Sequence, residues 1–122
     1  DISEAQNLQN SIVTAFEMID FNIEISGEIP KETPKAKALV KIIRECATNA
    51  IRHANATKLF VNISNNKIEI SDNGKFANQS IIEGTGIKGM RLNAKILGGE
   101  LIISKDNGFK VVIEMQNYMP SN

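Results

Sequence analysis

Helices layered on one face of a mixed β-sheet, an α+β fold, are what this 122-residue sequence predicts. Three features carry the expectation. Apolar residues recur at three- and four-residue spacing in three segments, which marks helices with one buried stripe. Elsewhere the apolar period shortens to two, which marks half-buried strands. Glycine, proline and asparagine punctuate the junctions between them.

In the first segment Ala5, Leu8, Ile12, Ala15, Phe16 and Ile19 form the stripe. Phe21, Ile23 and Ile25 then alternate with Asn22, Glu24 and Ser26, a strand expected to end at Pro30. Thr33-Pro34 reads as an N-cap followed by proline at the first helical position. The second helix runs from there to about Ala54, with Leu39, Ile42, Ile43, Cys46, Ala47, Ala50 and Ala54 on its apolar face. Leu59, Val61 and Ile63 mark a second strand, Asn65-Asn66 a turn, and Ile68 and Ile70 an antiparallel third strand ending at Asp72. Residues 73–85 are polar and glycine-bearing, hence a loop. A third helix, with Ile87, Met90, Ala94 and Leu97 on its core side, stops at Gly98-Gly99. Leu101–Ser104 and Val111–Met115 close the chain as a hairpin around Asp106-Asn107-Gly108. The order is α-β-α-β-β-α-β-β.

Composition bounds the function. At 42% hydrophobic and 23% charged residues the chain reads as one ordinary globular domain with a real core. Fourteen basic residues balance fourteen acidic ones, so no overall field recruits nucleic acid or an anionic membrane. No run approaches the ~18 apolar residues of a membrane span, and no signal-peptide pattern is present. The lone Cys46 excludes an internal disulfide and, with the single His53, a zinc cluster; a reducing cytoplasmic setting fits. A start at Asp1 rather than methionine suggests a fragment of something longer.

Two places carry chemistry. Glu45, Asn49 and His53 are each four residues apart on the second helix, with Arg52 beside them, so all four lie along an edge that borders the apolar face. One reading is a solvated flank. The other is a ligand carrying both metal and phosphate: an amide oxygen suits Mg²⁺, a carboxylate can act as a base, and Arg52 and His53 can donate to phosphate oxygens. The second place is the stretch 71–90, where four of eight glycines fall. Gly84 to Gly89 spell G-x-G-x-x-G, and Asp106 follows ~20 residues after Gly86, as a dinucleotide site asks. Yet "FANQSII" is a poor strand, and that reading leaves Glu45 and Asn49 without a task.

Three segments together resemble the GHKL ATPases, the family of sensor histidine kinases, gyrase and MutL ATPases and heat-shock-90-class chaperones. "RECATNAIRHANA" (44–56), "SDNGK" (71–75) and "GTGIKGM" (84–90) are similar to that family's N, G1 and G2 boxes, in its order and spacing. "GTGIKGMRLNAKILGGEL" is especially similar to the ATP-binding catalytic domains of short-lid sensor histidine kinases of the nitrate-sensor and desaturase-regulator types. The likeness runs from about residue 35 to 115.

The resemblance implies a Bergerat-type two-layer α/β sandwich, with a mixed sheet of about five strands and about three helices on one face. It implies ATP and Mg²⁺ as ligands. Glu45 would be the catalytic N-box acid and Asn49 the Mg²⁺ ligand, with Arg52 and His53 near the phosphates. Asp72 would accept a hydrogen bond from the adenine amino group, and Gly74 would let the base lie against backbone. Gly84, Gly86 and Gly89 would allow the loop and the next helix to approach the phosphates, a role that exposed N–H groups and the helix dipole also favour. Thr85 and Lys88 belong to the same ATP-binding segment, Lys88 being either a phosphate contact or a solvated charge.

Two positions depart from the family pattern. Phe76 stands where the second glycine of the G1 box belongs, and Phe109 where a threonine commonly lines the adenine side. Either both pack as core, or they weaken nucleotide binding. The resemblance further implies the cytoplasmic catalytic domain of a two-component sensor kinase. Such a domain donates the γ-phosphoryl group to a histidine on a separate dimerisation hairpin and signals to a response regulator. It contacts neither nucleic acid nor membrane, and the isolated fragment is expected to bind Mg-ATP without labelling itself. Alternatives are an anti-sigma-type serine kinase of the same superfamily, a regulatory module with decayed ATP binding, and the dinucleotide binder.

Overall fold

The computed structural model describes residues 3–75, 85–104 and 110–115. Its elements follow the expected order: α1 (Glu4–Glu17), β1 (Asn22–Ser26), α2 (Thr33–Ala54), β2 (Lys58–Ile63), β3 (Lys67–Asp72), α3 (Thr85–Ile96), β4 (Gly99–Ser104) and β5 (Lys110–Met115). The five strands form one mixed sheet in the order β1-β2-β3-β5-β4. β1 and β2 run parallel, and the remaining neighbours are antiparallel. Because β5 lies between β3 and β4, those two strands point the same way, and α3 makes the crossover between them.

Strand alternation decides which face is covered. Ile23, Leu59, Val61, Ile68, Ile70, Leu101, Val111 and Ile113 are buried, while Glu24, Asn62, Glu100 and Glu114 between them are exposed. All three helices pack over the apolar face, giving two layers with the core between them. On the other face Glu69 binds Lys110 of β5 at 2.8 Å and Lys67 of its own strand at 2.9 Å. Those two partners, Lys110 foremost, hold its carboxyl down to about 2.

Helix α2 is the central element. Its N-terminal half buries Leu39, Ile42 and Ile43, each contributing about 1.5–3 kcal/mol. Its C-terminal half buries only small side chains, Cys46, Ala47, Ala50 and Ala54, so here its backbone comes close to the end of β3. Asn55 closes it in the left-handed conformation (φ 52, ψ 39), donating its N–H to the Ala50 carbonyl.

Three local expectations need correction. Thr33 does not cap α2: Glu32 occupies the N-cap position without a side-chain bond, Thr33 is already helical, and its hydroxyl donates to Glu4 Oε2 at 3.2 Å. A link to α1 has replaced the cap. Helix α1 ends at Glu17 rather than near Ile19, and Ala15 and Ile19 are exposed; the chain turns through Asp20 (φ 59) so that Phe21 can be buried against Phe16. Strand β1 ends at Ser26, ahead of Pro30, because Gly27 (φ 93) turns the chain hard against the Ile63 carbonyl.

Candidate functional site

Half of the polar edge of α2 is partly enclosed. Glu45 and Asn49 are half-buried, and neither side chain has a hydrogen bond or ion pair with a described residue. Arg52 and His53, one turn further on, are exposed. They fall in the last turn of α2, where the carbonyl end of the helix dipole favours cations. Folding alone accounts for Arg52 and His53 better than for an unpartnered carboxylate and amide at a layer boundary.

The end of β3 lies along this half of α2. Asp72 is half-buried, and its Oδ1 accepts the Gly74 N–H at 2.7 Å, an Asx-type turn in which the side chain fixes its own backbone. Burial raises the Asp72 pKa above the usual carboxylate value, with the Gly74 N–H pulling against it. Lys75 donates its N–H to the Ala54 carbonyl at 3.1 Å, and a β-carbon at Gly74 would overlap that same carbonyl oxygen. Glycine at 74 is therefore what lets the turn rest on α2. Between these anchors Asp72 is close enough to Cys46 to act on it. Burial first, then the charges of Glu45 and Asp72, push the thiol far above its ordinary range. Cys46 and Ala54 are thus the points of α2 beside which the end of β3 comes, and Asn49 lies between them along the helix.

The start of α3 closes the third side. Thr85 is its first residue, and Gly86 in its first turn lies so near Glu45 that a β-carbon would overlap Oε1. The carboxylate consequently faces the N-terminal, positive end of a helix. Lys88 is exposed. Gly89 is half-buried, yet a β-carbon there would meet nothing within 4 Å among the described residues, whose packing therefore does not demand glycine at this position. Behind this wall Met90 is buried, with Cys46 Sγ 3.7 Å from its Sδ, as core side chains. Gly84, Phe76 and Phe109 lie outside the described residues.

Asn73 escaped the sequence reading. Its Oδ1 accepts the N–H groups of Thr57 and Lys58, and its Nδ2 donates to Thr57 Oγ1. Asparagine between Asp72 and Gly74 reads as turn chemistry from sequence, and only the fold brings Thr57 beside it.

The donor set fits magnesium. Among the described residues no three carboxylate, imidazole or thiol groups gather as a metal cage. Mg²⁺ characteristically takes one or two protein oxygens and completes its shell with water and phosphate. The unpartnered amide of Asn49 beside Glu45 offers that. A surface groove at the far end of α3, lined by Lys95, Glu100, Glu114 and Met115 among others, shows no such convergence.

Fold and site define a class. Residues 73–84 separate β3 from α3, far more than the tight strand-to-helix turn of a dinucleotide fingerprint, and the sandwich matches histidine-kinase ATP-binding domains instead. The chain belongs to the histidine kinase-, DNA gyrase B- and HSP90-like ATPase family, whose profile matches residues 35–118. Over 86 residues it is 34% identical to the sensor histidine kinase YxjM of Bacillus subtilis (strain 168), covering 66% of this chain and 21% of that protein. Over 100 residues it is 30% identical to the sensor histidine kinase YvfT of the same strain, covering 78% of this chain and 27% of that one. The chain thus spans only about a fifth to a quarter of these relatives' length. The histidine kinase domain of the Erythrobacter litoralis EL346 blue-light activated histidine kinase superposes with a TM-score of 0.68 at 18% identity, over 91% of this chain and 59% of that one. The ATP-binding domain of PrrB from Mycobacterium tuberculosis does so with a TM-score of 0.60 at 20% identity, over 89% and 90%. Among the described residues no helix is long and apolar enough to cross a membrane.

Proposed function

We propose that this chain binds Mg-ATP and presents its γ-phosphoryl group to a histidine on a separate dimerisation hairpin of a longer sensor kinase, which then passes it to a response regulator. The observation that supports this most is the convergence on one half of α2. The Asp72–Gly74 turn rests on Ala54, and the first turn of α3 rests on Glu45.

In this reading Asp72 takes the adenine amino group, and Gly74 lets the base lie against backbone. Asn49 holds Mg²⁺ through its amide oxygen, and the metal, when bound, neutralises charge on the phosphate oxygens. The first-turn N–H groups of α3, with Gly86 and Gly89, meet the phosphates, and Gly84, Thr85, Lys88, Arg52 and His53 are assigned to the same end of the nucleotide. Glu45 orients or accepts the proton of the incoming nucleophile. Phosphoryl transfer is mostly positioning and charge stabilisation, which suits a site of backbone groups with few side chains. The domain works in the cytoplasm and carries no phospho-acceptor of its own.

Titration with a fluorescent ATP analogue, with and without Mg²⁺, tests the reading. Micromolar, Mg²⁺-dependent affinity is expected, with the metal dependence lost in Asn49→Ala. Transfer is expected only when a phospho-acceptor hairpin is supplied. Tight, metal-independent binding in Asn49→Ala, or strong self-labelling by the chain alone, would overturn it.

A further inference from the structure

Asn73 makes more bonds than an exposed turn residue needs. Its side chain reaches back to the strand beside β3: Oδ1 accepts the N–H of Thr57 at 2.9 Å and of Lys58 at 3.0 Å, and Nδ2 donates to Thr57 Oγ1 at 3.0 Å. Its own N–H donates to the Lys58 carbonyl at 3.2 Å. Thr57 in turn accepts the Asn22 N–H at 3.0 Å, so the clasp is tied through to β1.

The residue held by this clasp is its neighbour. Asp72 Oδ1 is engaged by the Gly74 N–H at 2.7 Å, and no described residue donates to Oδ2. An Asx turn on its own fixes the side chain relative to its local backbone, not relative to the sheet. Two further links supply that reference: Asn73 to the start of β2 on one side, and Lys75 to the Ala54 carbonyl on the other. With both in place, Oδ2 has one fixed direction.

We propose that Asn73 is a positioning residue for base recognition: its clasp on Thr57 and Lys58 aims the free oxygen of Asp72, and so sets the preference for a purine bearing an amino group over one bearing an oxo group. This rests on the assignment of Asp72 to the base. An acceptor-only carboxylate rewards an N–H₂ edge and repels a carbonyl edge, but only when it is held in the plane of the base. A swinging carboxylate loses the discrimination while the phosphate contacts keep the nucleotide bound.

The test compares Mg-ATP with Mg-ITP, which carries an oxo group in place of the amino group, by direct titration of the chain and its variants. Unmodified protein should prefer ATP by roughly tenfold or more. Asn73→Ala should lose most of that ratio, mainly through weaker ATP binding with ITP binding little changed. Asn73→Asp keeps an acceptor for both N–H groups and should recover most of the ratio. It also serves as the readout should Asn73→Ala prove unfolded, and in that event an Asn73→Asp protein with the ratio of Asp72→Asn would overturn the proposal. A purely structural role would weaken both nucleotides equally in Asn73→Ala and leave the ratio intact, and that result also overturns it. Asp72→Asn separates the two levels. If it abolishes the preference while Asn73→Ala keeps it, only the role of Asn73 fails. If the unmodified protein shows no preference, or Asp72→Asn keeps it, the assignment of Asp72 fails and this inference with it.

Discussion

Gly86 lies against Glu45 so closely that a β-carbon at position 86 would overlap the carboxylate oxygen Oε1. The atom that would have to move is the far end of a flexible side chain, so Gly86→Ala should displace Glu45 rather than break the fold. An off-rotamer Glu45 costs about 0.5–1.5 kcal/mol, and the gain in helix propensity, about 1 kcal/mol, offsets it. The expected outcome is a melting temperature within a few degrees of the parent and a fall of roughly 10²-fold in transfer to a supplied acceptor hairpin, in line with loss of a positioned acid–base group. Thermal melts and single-turnover transfer measure the two effects separately.

Gly89 makes the opposite case. A β-carbon there would meet no described residue within 4 Å, so alanine should be the better helix residue by about 0.5–1 kcal/mol. Gly89→Ala should therefore raise the melting temperature. If glycine stands here so that phosphates can approach the helix backbone, the same variant should bind Mg-ATP several-fold more weakly. A more stable protein with unchanged affinity would remove Gly89 from the site.

Gly74→Ala meets backbone instead of a side chain. The Ala54 carbonyl oxygen cannot step aside without disturbing α2, and it also accepts the Lys75 N–H at 3.1 Å. A loss of about 1–3 kcal/mol is expected, or roughly 5–20 °C in melting temperature, with nucleotide affinity falling together with stability. Chemical denaturation with and without Mg-ATP checks both.

The contrast among these glycines shows what the sequence can and cannot tell. Periodicity placed every helix and strand, because each element has one apolar face and the two periods differ. Leu39, Ile42, Ile43, Cys46, Ala47, Ala50 and Ala54 are buried as their spacing requires. The polar edge at Glu45 and Asn49 was visible as a breach of amphipathic order, and the glycine-bearing segments as places of close approach. What each glycine approaches was not visible: Gly74 meets a carbonyl 20 positions earlier and Gly86 a carboxylate 41 positions earlier, distances that only the packing of α2 against β3 and α3 closes. Asn73 was invisible for the same reason, since its partners Thr57 and Lys58 sit at the start of the neighbouring strand β2. Thr33 was misread because a hydroxyl suited to capping found Glu4 instead.

On the open face of the sheet, Glu69 offers a pH-dependent control remote from the site. Its folded carboxyl titrates at about 2, held there by Lys110 and then Lys67. A depressed carboxylate contributes stability above its unfolded pKa of about 4.3, and loses it as pH falls through the folded value. The side chain is still 29% exposed, so the pairs are worth about 0.2–1 kcal/mol and weaken with salt. Glu69→Gln should be less stable by that amount at pH 7 and indistinguishable from the parent near pH ~2, by urea denaturation at the two pH values. Nucleotide affinity at pH 7 should not change.

Asp72 carries the reverse sign, which sets function against stability. Burial raises its pKa in the folded chain, and the Gly74 N–H offsets only part of that. A carboxyl whose folded pKa lies above its unfolded one favours the fold while protonated. That contribution is present in full below the unfolded pKa of about 3.9 and disappears as pH rises through the folded value. Burial thus disfavours the charged form of Asp72 in the native state. Asp72→Asn removes the charge and retains an oxygen for the Gly74 N–H, so its melting temperature at pH 7 should equal or exceed that of the parent. The difference should shrink as pH is lowered into the carboxylate range. Affinity for the adenine nucleotide should fall, because an amide presents a donor or an acceptor according to its flip where the carboxylate presents only acceptors. A variant both less stable at pH 7 and unaltered in ATP affinity would show that Asp72 serves the fold and not the ligand.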